Sequence, residues 1–448
     1  MSIGTRRESV GAEQVLAMRE ALAQDRRLQA MRNAVTSAGI EKVALSRDAL
    51  LSMHDAFSEE LALPAVTNQM KSGRCWMFAG LNLLRRAAAE HLKVEEFELS
   101  QNYLTFFEKL EKANGFLEDV LATAEEPKDS RITCHLFASP AGDGGEWELF
   151  ANLVRKYGVV PQWTMPETFH SSDSRAMNRV LDQKLREDGL RLREALAEGS
   201  SAADIAHRKE LMLGEIFRIL TVFLGLPPTA FDLEYRDKDK AFHREAGLTP
   251  RTFLERCVPF DFDAYQSVVN VPAAGKPFGR TYVVERLPVV RGGPQRPYLN
   301  VDAHTMRDLA LRQVQAGEGV YFGCDVAQMM DAERGLLVDG LYDLEGVLGV
   351  PLRLTKAERL DYGGEIAGGH QMVLVGVDLA EGRPLRWKVE NSWGAERGRQ
   401  GYFLMSDGWL LEYVYQVVVR REYLPQDLQA ALSEPPIVLP PWDPMRGL

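Results

Sequence analysis

Cys75 opens a run, residues 75–92, in which Trp76, Ala79, Leu83 and Ala87 recur on one helix face, so its thiol is read at a helix N-terminus. A thiol attacks as thiolate, and a helix N-terminus with a neighbouring imidazolium can lower its pKa from ~8.5 to roughly 3–4. Upstream, Gln69 can aim its amide N–H₂ at a nascent oxyanion while Gly73 lets backbone approach closely. With the Cys75 backbone N–H this makes a two-donor oxyanion hole. The base must be a histidine that reaches Cys75 in space, and His370 is the best placed, entering an apolar strand directly after Gly368 and Gly369. Asn391 follows after a return turn and a second strand. Adjacent antiparallel strands would set its side chain beside the imidazole, where an amide acceptor holds the tautomer that faces the thiol and Trp393 shields the bond from water.

The elements that must position these groups are legible at coarse grain. Residues 9–60 carry helical periodicity in broken runs, with Ser46 as a capping residue before a helix over 49–57. Residues 100–157 read as two helices joined by the loop 139–145, and 177–197 and 205–223 read as long helices. After Pro227, Gly and Pro become frequent and β-type runs appear at 267–271, 281–284 and 319–324. The clearest strands, 371–377, 386–389 and 402–405, form an antiparallel, barrel-like lobe. The fold class is therefore α+β, a helical lobe against a β-rich one.

Bulk properties exclude several alternatives. With 448 residues, 45% of them apolar, the chain can build more than one core, and a net charge of −11 offers no basic footprint for nucleic acid. No run reaches the ~20 apolar residues of a membrane span. Arg6 and Arg7 are followed by no apolar stretch of the kind a secretory signal needs, which points to the cytoplasm. The four cysteines are far apart and form no C-x-x-C pair, so neither disulfides nor structural zinc are expected, and at least three are read as buried, inert thiols. No metal or cofactor motif occurs, so the chemistry is read as cofactor-free.

Taken in order, Gln69 and Cys75-Trp76, the Gly368-Gly369 loop, the strand opened by His370, and Asn391-Ser392-Trp393-Gly394 resemble the papain-type cysteine peptidases. One departure is informative. Papain-type enzymes place the histidine ~130–150 residues after the cysteine, whereas His370 follows Cys75 by 295. Together with the segments SGRCWMFAGLN, YRDKDK, YFGCDV, KAERL, VENSWG and the tail PPIVLPPWDPMRGL, this excess makes the chain similar to the bleomycin hydrolase and aminopeptidase C family over nearly its whole length.

That resemblance implies a homohexamer with active sites facing an internal channel, and a cysteine aminopeptidase acting on peptides with a free amino terminus through an acyl-enzyme. Hydrolysis of bleomycin-like amides is implied in the same way. The backbone at Gly144 and Gly145 would pair with extended substrate, alongside Trp393. Residues 1–60 would form an N-terminal helical segment, 61–165 the lobe with Cys75, 166–265 a helical insertion for oligomer contacts, and 266–434 the β-rich lobe. The tail 435–448 would lie extended in the cleft, where prolines pre-order it and the Leu448 carboxylate meets the substrate amine. A papain-like endopeptidase, or a catalytically idle hexameric scaffold, are the alternative readings.

Overall fold

In the computed structural model, which describes residues 9–287, 290–362 and 369–447, four helices come first: Ala12–Ala23, Arg26–Ala38, Ile40–Ala44 and Arg47–Ser52. Ser46 caps the fourth by accepting the Ala49 N–H at 3.2 Å. This helix ends at Ser52 rather than near residue 57, because Met53 turns to extended backbone.

The helix Cys75–His91 is buried along most of its length and packs on the strand Gly369–Ala380. Between residues 100 and 157 there are three helices, Gln101–Ala122, Arg131–Ala138 and Trp147–Tyr157, where the sequence suggests two. The extra one starts at a cap that periodicity alone does not reveal, with Ser130 Oγ accepting the Thr133 N–H at 3.3 Å. The loop after it is irregular, as its glycines and proline require. Arg175–Ala197 and Ala202–Leu224 pack against Gln101–Ala122 and against each other. The stretch after them is not all helix. Phe231–Arg236 and Phe242–Leu248 pair as an antiparallel hairpin, whose tip carries the mixed charges of the YRDKDK segment.

Among the described residues a 12-stranded sheet organises the rest. Its centre is Val320–Asp325, Gly369–Ala380 and Arg383–Glu390, each antiparallel to the next, with His370 opposite Cys324. Three pairings are parallel, so the sheet is mixed rather than purely antiparallel. Alternation along the strands divides the core. Tyr321, Val373 and Val375 face the helical lobe, while Val320, Phe322, Met372 and Leu374 face the helices Ala303–Gln315 and Asp407–Tyr413. The central strands are thus covered on both faces, and the His370 strand reads as an almost unbroken apolar run.

Three cysteines, Cys75, Cys257 and Cys324, are buried and Cys134 is exposed, so the expectation of three inert buried thiols besides a reactive one falls short by Cys134. Among the described residues no helix is long and apolar enough to cross a membrane.

The tail departs from a fully extended thread. Ile437–Leu439 lies parallel to Arg280–Val284, but Pro444–Gly447 curls into a 3₁₀ turn. Asp443 imposes the turn: its Oδ1 accepts the Met445 N–H at 2.9 Å and its carbonyl accepts the Arg446 N–H at 3.0 Å. Met445 is fully buried. Leu448 lies outside the described residues.

Candidate active site

The Cys75 helix begins without a side-chain cap. Its first free N–H groups therefore remain available to an anion at the helix start. The thiol donates to Gln371 Oε1 at 2.9 Å, which sets it against the first residues of the His370 strand. His370 Nε2 lies 2.8 Å from Asn391 Oδ1. The Ser392 N–H donates to the same oxygen at 2.7 Å, so the amide presents its acceptor to the ring. Nε2 then carries the proton and Nδ1 is left as the basic nitrogen. Trp393 covers the imidazole with ring centroids 4.8 Å apart. Cys75, His370 and Asn391 are all under 8% exposed.

Burial acts against the acidity that a helix N-terminus and an imidazolium would lend the thiol. Desolvation pushes Cys75 up to about 11, outweighing hydrogen bonds from the backbone of Gln371, Trp76 and Cys75 that pull it down. It likewise takes His370 down to about 4, with the bond to Asn391 acting in the opposite sense. Each charge alone is disfavoured in so dry a site. Burial thus favours the uncharged form of each group taken singly.

Gln69 is held by both ends of its amide. Nε2 donates to the Ser72 carbonyl at 2.8 Å and Oε1 accepts from Ser392 Oγ at 2.8 Å. An amide nitrogen has two hydrogens, so one remains for an oxyanion. The segment around it is stitched to the Asn391 turn, with the Gln69 N–H on Ser392 O at 2.8 Å and the Gly394 N–H on Thr67 O at 3.1 Å. Arg74, just before the nucleophile, is buried and makes a bidentate pair with Glu167 at 3.0 and 2.7 Å.

Gly144 and Gly145 sit beside this loop, the Gly144 N–H donating to Gly73 O at 3.1 Å. Gly144 has φ of +93°, and a Cβ there would meet open space; a Cβ at Gly145 would lie 2.6 Å from the Trp76 ring. The loop is fastened by groups that sequence reasoning missed. Buried Lys112 donates to Gly142 O at 2.7 Å and Gly144 O at 2.5 Å, and buried Lys109 reaches Asp143 Oδ1 at 2.8 Å. Asp143 also accepts from Ser174, Asn178 and the Gly73 N–H. Burial would raise its pKa, but Lys109 and these donors hold the carboxyl well below the usual range. Lys109 and Lys112 lie one and two helical turns beyond Thr105 on a helix buried nearly all round, and nothing local in the sequence distinguishes them from surface lysines.

The end of the tail approaches the same region. Arg446 and His135 line a cavity of about 70 Å³ with Lys112, Ser139 and Pro140, and Arg446 Nη1 lies 3.1 Å from His135 Nε2. Trp442 is covered by the Arg131 guanidinium. Among the described residues no group of three His, Cys, Asp or Glu side chains could hold a metal ion.

Residues 9–446 match the model of the Peptidase C1-like family. Aminopeptidase C of Streptococcus thermophilus is 44% identical over 420 residues, 94% of each chain. Aminopeptidase G of Lactobacillus delbrueckii subsp. lactis is 41% identical over 94% of this chain and 95% of its own. The crystal structure of PepW from Lactobacillus rhamnosis HN001 superposes with a TM-score of 0.95 at 45% identity, covering 98% of this chain and 99% of that one. With its sequence matched almost from end to end and its fold superposed on a solved relative, the chain belongs to the Peptidase C1-like family, alongside the aminopeptidases C.

Proposed function

We propose that the protein is a cysteine aminopeptidase that releases N-terminal residues from peptides through an acyl-enzyme. The observation that carries this reading is the bond from His370 Nε2 to Asn391 Oδ1, with the Cys75 thiol held at the adjoining residue of the same strand. In the reaction, Cys75 Sγ attacks the scissile carbonyl carbon as its proton passes to His370 Nδ1. The oxyanion is met by the Cys75 N–H and the second hydrogen of Gln69 Nε2. His370 returns the proton to the leaving amine, and a water activated by the same imidazole then hydrolyses the thioester. Asn391 keeps the ring in the tautomer that serves both steps.

Restriction to free amino termini falls to the tail. Met445 packs into the core of the β-rich lobe, and the turn after Asp443 carries Arg446 to His135 of the helical lobe, beside Ser139 and Pro140 at the start of the glycine loop. A carboxylate on Leu448 would meet the substrate ammonium group from there. Residues 166–265 supply the contacts of a homohexamer, the protein works in the cytoplasm, and bleomycin-like amides are within the range of its substrates. Support for these last points is the likeness to the aminopeptidases C.

The test is hydrolysis of an aminoacyl fluorogenic amide and its N-blocked counterpart. Cys75→Ala should abolish turnover, and equal rates would remove the nucleophile and favour an idle scaffold. Deleting the chain from Met445 onward should shift activity towards the blocked substrate; unchanged preference for a free amine would refute the carboxylate anchor. Native mass spectrometry reads the assembly, six chains of 50.2 kDa against one.

A further inference from the structure

Away from the reacting groups, one cluster of charges is buried without a part in the chemistry. Glu390, with a fully buried side chain, binds Arg85 Nη2 through Oε1 and Arg86 Nη2 through Oε2, each at 2.5 Å. The arginine side chains are only 7% and 17% exposed. Three charges in such a place are costly, and an apolar trio of similar volume would often serve stability as well or better. What an apolar trio would lack is direction.

The cluster joins the three pieces that carry the site. Arg85 and Arg86 lie on the Cys75 helix, about 15 Å along its axis from the nucleophile. Glu390 is the last residue of its strand, and Asn391 is the next residue. Arg86 also donates to the Ala62 carbonyl. Tyr402, opposite Glu390 in the sheet, donates to the Pro64 carbonyl at 2.6 Å, so the segment leading to Gln69 is held at the same point. Each carboxylate oxygen takes a different guanidinium, and sliding the strand end along the helix breaks both charge-assisted bonds at once.

We propose that Glu390, gripped by Arg85 and Arg86, is a positioning residue that sets the seat of Asn391, and through it of His370, against the helix bearing Cys75. The role in turnover rests on the aminopeptidase reading; the effect on the thiol does not. A shift of about 1 Å at such a distance is enough to cost on the order of 10²-fold in rate.

The experiment compares wild type, Glu390→Gln, Arg86→Met and Asp188→Asn. Asp188 is also buried and is paired with Lys184 at 2.8 Å, but it lies in the helix Arg175–Ala197, away from the site. Turnover of an aminoacyl amide is expressed per reactive Cys75, counted by mass spectrometry after iodoacetamide labelling, and the labelling rate at Cys75 is measured separately. Glu390→Gln should lower kcat per reactive thiol by about 10- to 100-fold with KM changed little, and should slow labelling in parallel. Asp188→Asn should leave both as in wild type. If Glu390→Gln does not fold, Arg86→Met carries the test with the same expectation. Turnover and labelling within about twofold of wild type, or an equal loss in Asp188→Asn, overturns the proposal. A wild-type protein that cleaves no aminoacyl amide sinks the aminopeptidase reading instead, and the labelling rates still decide the role of Glu390.

Discussion

Ser392 and Gln69, 323 residues apart in the chain, exchange two bonds: Ser392 Oγ donates to Gln69 Oε1, and the Gln69 N–H donates to Ser392 O, both at 2.8 Å. The residue after Asn391 therefore orients the Gln69 amide. In the proposed mechanism one turn of backbone serves both the base and the oxyanion hole.

Replacing Gln69 by Ala should lower kcat by about 10²–10³-fold, the usual effect of losing one oxyanion donor. Ser392→Ala frees the amide to rotate without removing it, and should give a smaller loss of about tenfold. Steady-state kinetics on one aminoacyl amide checks the order. A Ser392→Ala enzyme as impaired as Gln69→Ala would mean that the hydroxyl acts for itself.

Asn391 Nδ2 is buried with no hydrogen-bond partner among the described residues, so Asn391→Asp discards no donated bond. A carboxylate there favours the imidazolium, and the His370 pKa rises from its depressed position near 4. The acid limb of the kcat/KM profile should move to higher pH by about 1–2 units. A limb that stays in place would show that another group sets it.

Folded His370 resists protonation down to about 4, whereas an unfolded histidine takes up its proton near 6.5. Between these values the unfolded chain binds more protons, so stability is lost as pH falls through that window and is fully present above it. The loss is on the order of 3 kcal/mol for this one fully buried group. Denaturant midpoints measured from pH 7 to 4.5 should fall less steeply for His370→Gln than for wild type, and parallel curves would assign the acid sensitivity elsewhere.

A methyl group on Gly145 would press on the buried Trp76 ring at 2.6 Å. Gly145→Ala should cost about 1–3 kcal/mol by overpacking. Because Trp76 follows Cys75, the proposed nucleophile, activity per folded molecule should fall as well. Gly144→Ala meets open space and is strained only by its φ of +93°. It should cost about 1–2 kcal/mol, and its effect on KM for longer peptides would read the substrate contact suggested for this backbone.

Much of the site is carried by short-range pattern. A helix opening at Cys75 follows from the apolar spacing behind it, and a strand opening at His370 follows from the apolar run after it. The order of Gln69, Cys75, His370 and Asn391, with the long interval inside it, sufficed to suggest the family to which the chain belongs. Caps and turns were less legible. Ser130 starts a separate helix inside what reads as a single helix ahead of the loop 139–145, and Asp443 curls a tail whose prolines favour extension.

The sequence by itself singled out the groups proposed to do the chemistry, because Cys75, His370 and Asn391 each announce themselves through neighbours within a few residues. Only the tertiary structure decided their environment. Ser392 on Gln69, Glu390 between Arg85 and Arg86, and the two lysines under the glycine loop are polar contacts between distant segments, and no periodicity encodes them. The same is true of the raised Cys75 pKa and the lowered His370 pKa. Both arise from burial, which depends on what the rest of the chain packs around a residue rather than on the residues beside it.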